Sequence, residues 1–214
     1  MGTRIKTFVF GPFMENTSVV YDDTKECVII DPGCFDEYEN EELKSFIENE
    51  GLTPVMLLQT HTHLDHVFGV PFVSKTWGLI PQVHPLDKRV YDSFEMSCMT
   101  FGIKPKSTLP EPHYVLKAGE DIIFGNTTLK VHHIPGHCPG HVVFECEEEN
   151  FIVSGDVLFE RSIGRTDLPG GDHQTLIDSI KNILFKLDLN RVVYSGHGRT
   201  TTLGEEKLNN PFLV

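Results

Sequence analysis

Residues 60–66 read THTHLDH, and they follow the apolar run PVMLLQ at 54–59. His61, His63, Asp65 and His66 therefore crowd together just past a strand-like segment. A packed core is hostile to such groups, because a buried imidazole or carboxylate needs a partner. A solvated surface rarely needs four of them side by side. A metal site answers both objections. His61 and His63 are two apart, so on extended chain they point the same way and can grip one ion. Asp65 and His66 lie just beyond, where the chain turns, within reach of a second ion.

Three more loops carry ligand-type residues after strand-like runs: PGHCPGH (His137, His141), SGDVLF (Asp156) and SGHG (His197). Histidine and aspartate suit zinc, iron and manganese. His84, His113, His132, His133 and His173 read as structural or exposed, and Cys138 as a small buried residue rather than a thiolate ligand. The order of segments is strands and then helices, twice over, around strand-end loops. That order predicts one domain over 1–214, an α/β (α+β) fold of two packed sheets with helices outside. Among the helices, PLDKRVYDSFEMSCMTFG reads as a single one starting at Pro85. HVFGVPFVSKTWG reads as a short helix weakened by Gly69 and Pro71. HYVLKAG reads as the first strand of the second half, and RVVYSGHG as the last strand.

THTHLDH, PGHCPGH, GD and GHG, in that order, resemble the metallo-β-lactamase superfamily, and its glyoxalase II-like hydrolases in particular. The likeness runs from ENTSVVYD and VIIDPG to GHGRTTTLGEE, and LFERSIGRTDLPGGD looks like the short bacterial-type members. The resemblance implies a four-layer αββα sandwich of two mixed sheets flanked by helices, with the site at one sheet edge. It implies two divalent ions per chain, zinc first, with iron or manganese as alternatives. One ion takes His61, His63 and His137; the other takes Asp65, His66 and His197; Asp156 bridges them. His141 falls outside this set. The ions make a nucleophile of water at neutral pH and polarise a carbonyl, and Asp65 is the candidate to orient that water and take its proton. The implied substrate is a small thioester of the S-lactoylglutathione type. Only residues 199–214 follow GHG, so the helical C-terminal region that helps larger relatives hold glutathione is not expected.

Two residues keep two readings each. Asp31, in IIDPG, either fixes the tautomer of a ligand histidine or is a turn aspartate before proline. Arg165 either pairs with a substrate carboxylate or is a surface arginine bridging loops. Rival functions are a mononuclear iron persulfide dioxygenase using His61, His137 and Asp156, and a lactone hydrolase. The net charge of −13 in 214 residues disfavours nucleic acid as a partner. No apolar stretch reaches membrane-spanning length. The five cysteines form no C-x-x-C pair, which predicts reduced thiols in the cytoplasm. Oligomeric state stays open.

Overall fold

The chain spends its first half on one sheet and its second half on another. In the computed structural model, which describes residues 2–214, the first half runs β1 (Arg4–Phe10), β2 (Glu15–Tyr21), β3 (Glu26–Ile30), α1 (Glu37–Asn49), β4 (Thr53–Leu58), α2 (Val70–Trp77), β5 (Pro81–Val83), α3 (Lys88–Asp92), α4 (Phe94–Thr100) and β6 (His113–Tyr114). Strands β1 to β6 pair in chain order, antiparallel as far as β3 and parallel beyond it. The second half runs β7 (Asp121–Phe124), β8 (Thr127–His133), β9 (Val142–Cys146), β10 (Phe151–Gly155), a small hairpin of β11 (Leu158–Phe159) and β12 (Ser162–Ile163), α5 (His173–Asn182), β13 (Val192–Ser195), β14 (Thr201–Thr202) and α6 (Leu203–Asn209). Its sheet has the order β14-β13-β10-β9-β8-β7.

Successive strand residues face opposite ways, and both faces of both sheets are used. Val20, Val28, Ile30 and Leu58 meet Leu129, Val131, Phe144 and Val153 between the sheets. The neighbours of the first set, Val19, Ile29 and Leu57, pack outward against Leu43 and Ile47 of α1 and Val70 and Val73 of α2. On the other side Val143, Ile152 and Val193 lie under Leu176 and Ile180 of α5 and Leu203 of α6. Each such aliphatic side chain contributes about 1.5–3 kcal/mol when fully buried. The result is the αββα sandwich of two mixed sheets. No described helix is long and apolar enough to cross a membrane.

Several elements differ from the sequence reading. The single helix expected from Pro85 is a 3-10 turn followed by α3 and α4, broken at Ser93. The Ser93 hydroxyl donates to the Val90 carbonyl at 2.8 Å, a bond that competes with the helix ladder. Gly69 and Pro71 do not weaken α2; they start it, as its cap and as a proline in the first turn. β6 belongs to the first sheet, parallel to β5, not to the second half. β13 is followed by β14 and α6, whose cap Thr202 accepts from the Glu205 amide.

One contact between the halves is titratable. His84 stacks on His133 of β8 at 4.4 Å and 12°. Burial, then the neighbouring His133, lowers the His84 pKa to about 4. An unfolded histidine titrates near ~6.5. Between those values the unfolded chain binds the extra proton, so stability falls as pH drops through that window. His84→Phe keeps a flat ring and cannot titrate. Its unfolding free energy should fall less steeply than wild type between about pH 6.5 and 4 in urea titrations. Parallel slopes would refute the assignment.

Candidate metal centre

Four strand ends of the two sheets converge on one edge. β4 runs out into the His61–His66 loop, β8 into the His137 loop, β10 into Asp156 and β13 into His197. Backbone bonds tie these ends across the sheets: Val142 N–H donates to Thr60 O at 2.8 Å, and Asn16 N–H to Gly196 O at 2.7 Å. The Asn16 amide group also donates to Ser195 O and Gly198 O.

Seven donors meet there. His61, His63 and His137 form one group and Asp65, His66 and His197 another, with ligand atoms within 4.8 Å of one another in each. His137 Nε2 lies 2.8 Å from His63 Nδ1 and 3.3 Å from His61 Nε2. His197 Nε2 lies 3.2 Å from Asp65 Oδ2. Asp156 spans the two groups. Its Oδ1 is 3.4 Å from His66 Nε2, while its Oδ2 is 3.7 Å from His137 Nε2 and 3.5 Å from His197 Nε2.

Outer partners set the tautomers. His137 Nδ1 donates to Arg165 O at 2.6 Å, and His197 Nδ1 to Met14 O at 3.3 Å. His66 Nδ1 donates to Asp31 Oδ2 at 3.1 Å. Thr60 Oγ1 donates to Asp31, so it accepts from His61 Nδ1 at 3.1 Å. Each of these rings therefore turns its Nε2 inward, the arrangement that metal-ligating histidines need. Asp31 also accepts the Thr60 amide at 2.7 Å. It lies within ligand distance of His61 and His66, but its oxygens are committed to these donors, so it holds the loop and the His66 ring in place. It does so from φ 50°, a backbone conformation costing roughly 1–2 kcal/mol.

The electrostatics divide the site. Burial, then the neighbouring imidazoles, pushes His61 well below the usual histidine range and His63 to about 3. Against the pull of burial, Asp156 and Asp65 hold His66 far above that range and His197 at about 10. Also against burial, the same two imidazoles hold both carboxylates low, Asp156 well below its ordinary value. One side thus offers neutral lone pairs and the other demands positive charge. His66 Nε2 and Asp156 Oδ1 are buried with no hydrogen-bond partner. Inward-facing nitrogen and carboxylate donors with unmet valences fit divalent ions of the zinc, iron or manganese kind. Burial, with Asp87 beside it, keeps Cys138 a neutral thiol.

Arg165 lines the cleft over this centre. Its guanidinium is engaged by Asp167, at 2.7 and 2.8 Å, while its carbonyl holds His137. Three further residues had no role in the sequence reading. Asp87 is fully buried and clamps two ligand loops, accepting from the Thr62 amide at 2.7 Å and the Gly140 amide at 3.1 Å. His141 Nε2 accepts the Asp156 amide at 3.0 Å, and its ring stacks on His61 at 4.7 Å. Glu15 lies buried beneath His66, with Oε1 3.7 Å from Nδ1. Burial above all pushes its carboxyl well above the usual range. PGHCPGH did mark His141; nothing in local spacing marks Asp87 or Glu15.

A family model described as the metallo-beta-lactamase superfamily matches residues 10–197. The chain is 38% identical over 202 residues to the hydroxyacylglutathione hydrolase GloC of Haemophilus influenzae, covering 94% of this chain and 93% of that one. Among solved structures it is similar to the BLEG-1 B3 metallo-beta-lactamase, with a TM-score of 0.89, 38% identity and coverage of 99% of this chain and 100% of the other. It is also similar to TTHA1623 in a di-iron-bound form, with a TM-score of 0.87, 38% identity and coverage of 97% and 100%.

Proposed function

The chain belongs to the metallo-beta-lactamase superfamily, and from that premise we propose that it hydrolyses a thioester of the S-lactoylglutathione type at a dinuclear centre. The observation that carries this reading is Asp156, which reaches the donor atoms of both histidine groups at once. Likeness to a hydroxyacylglutathione hydrolase supports the substrate class. The ligands would be His61, His63 and His137 on one side, Asp65, His66 and His197 on the other, with Asp156 shared. Zinc is the first choice, and the di-iron relative makes iron the second.

When bound, such ions lower the pKa of water to near ~7 and polarise a carbonyl oxygen. The protein does the rest. Phe13, Phe101, Phe159, Ile163 and Leu168 line a cleft of about 380 Å³ over the donors; these apolar walls exclude bulk water and strengthen local electrostatics. Asp65, ionised at neutral pH, takes the proton of the attacking water. A C–O bond forms, the C–S bond breaks, the proton from Asp65 passes to the departing sulfur, and the second proton of the water is released to solvent, leaving a carboxylate and a thiol. The five buried free cysteines support a reducing cytoplasmic setting.

Reconstitution with zinc, iron or manganese, followed by elemental analysis, is expected to saturate at two ions per chain. S-Lactoylglutathione cleavage should follow the second ion. Saturation near one ion, with no activity gained from more, would sink the dinuclear reading. Oxygen consumption on glutathione persulfide by iron-loaded protein, with every thioester left intact, would replace it with the dioxygenase that uses His61, His137 and Asp156.

A further inference from the structure

The thioester reading leaves open how an acidic chain holds an anionic thiol. We propose that Lys104 and Lys106 form a second subsite, which takes the carboxylate end of the substrate's thiol half. The proposal rests on that reading.

One wall of the metal cleft is a pair of rings, Phe13 and Phe101, packed edge to face at 5.7 Å and 88°. Their chain neighbours, Pro12 and Gly102, line a second cavity of about 650 Å³ on the other side, together with Phe35, Lys104 and Lys106. The two cavities are thus lined by adjacent residues of the same two segments. Phe68 continues the apolar path, 6.4 Å from Phe13 and 4.9 Å from Phe35. Lys106 Nζ ends that path, 4.3 Å above the Phe35 ring.

These two lysines differ from the cations that carboxylates hold. Lys44, Lys88, Lys117 and Lys130 all sit beside carboxylates, and Arg165 is held by Asp167. Among the described residues neither Lys104 nor Lys106 has a carboxylate partner. A net charge of −13 repels an anionic substrate unless positive charge is kept free near the site. A thiol-bearing tripeptide spans about 10 Å when extended, enough to cross one ring pair. A short neutral thiol reaches no lysine. The lysines therefore read the thiol half, while the donors read the acyl carbonyl.

The test pairs metal-loaded wild type with the Lys104→Glu/Lys106→Glu double variant, whose changes lie on exposed side chains. Two lactoyl thioesters are compared, one of glutathione and one of neutral N-acetylcysteamine. The ratio of their KM values is expected to rise about tenfold in the variant, with kcat on the glutathione ester nearly unchanged, the mark of lost uniform binding. Calorimetry with S-methylglutathione, which has no cleavable acyl group, should show affinity falling about tenfold in the variant. An unchanged KM ratio, or a thioether that binds both proteins equally or neither, overturns the subsite. If the thioether binds in a lysine-dependent way while every thioester stays intact, the subsite stands and the hydrolase reading falls.

Discussion

Asp156→Ala is expected to lower thioester hydrolysis on the order of a thousandfold, equivalent to about 4 kcal/mol of transition-state stabilisation, and to strip metal from the protein. Asp156 is the carboxylate that reaches both histidine groups, Oδ2 facing His137 and His197 and Oδ1 facing His66. Its loss removes the larger of the two negative charges that hold the His66 and His197 pKa values up, leaving Asp65 alone, and would take a shared donor from both groups. The informative comparison is His141→Ala. His141 touches the Asp156 amide and the His61 ring but presents no donor to either group. As a positioning residue it should cost about ten- to a hundredfold while most of the metal stays bound. The measurement is kcat/KM alongside elemental analysis of each variant. Equal losses of metal would mean that Asp156 is not a shared ligand.

Gly196→Ala is expected to cost about a hundredfold or more in activity through lost metal. A Cβ built there falls 2.2 Å from Asp156 Oδ1, 2.8 Å from His66 Cε1 and 3.1 Å from the Gly155 carbonyl carbon. Two ligands and a strand backbone would have to move together. Gly198 supplies the control. Its φ of +76° makes any side chain strained, but a methyl there meets nothing within 4 Å. Gly198→Ala should therefore lower the melting temperature yet retain metal. If both variants kept their full complement of ions, the close approach at Gly196 would be irrelevant to the site.

What the chain's own order revealed depends on how local the physics is. Strands ending in ligand-rich loops are readable because alternation and clustered histidines are short-range patterns. β4 with His61 and His63, and β13 with His197, follow directly from them. The break at Ser93 was hidden, because it depends on one hydroxyl choosing a carbonyl three residues back. The start of α6 has a local signal, Thr202 followed by Glu205 three positions on. β6 joins the first sheet rather than the second half expected of it, since two residues cannot declare which sheet they join. Asp87 lay beyond any spacing argument: it clamps loops from both halves, and only tertiary structure brings Thr62 and Gly140 to one carboxylate. The same holds for Arg165, whose carbonyl rather than its charge meets His137.

Each sheet is made from one contiguous half of the chain, and each donor group mixes the halves. His61 and His63 come from the first half and His137 from the second; Asp65 and His66 come from the first and His197 from the second. Neither half by itself owns a complete group. The halves therefore stand to each other as two subunits do, and ions held by both groups would act as rivets across their joint. Ion binding would add stability chiefly to the docked arrangement, and a chain with a single formed sheet would gain little from it. Capture of metal would mark the last step of assembly, when the two halves have closed on each other.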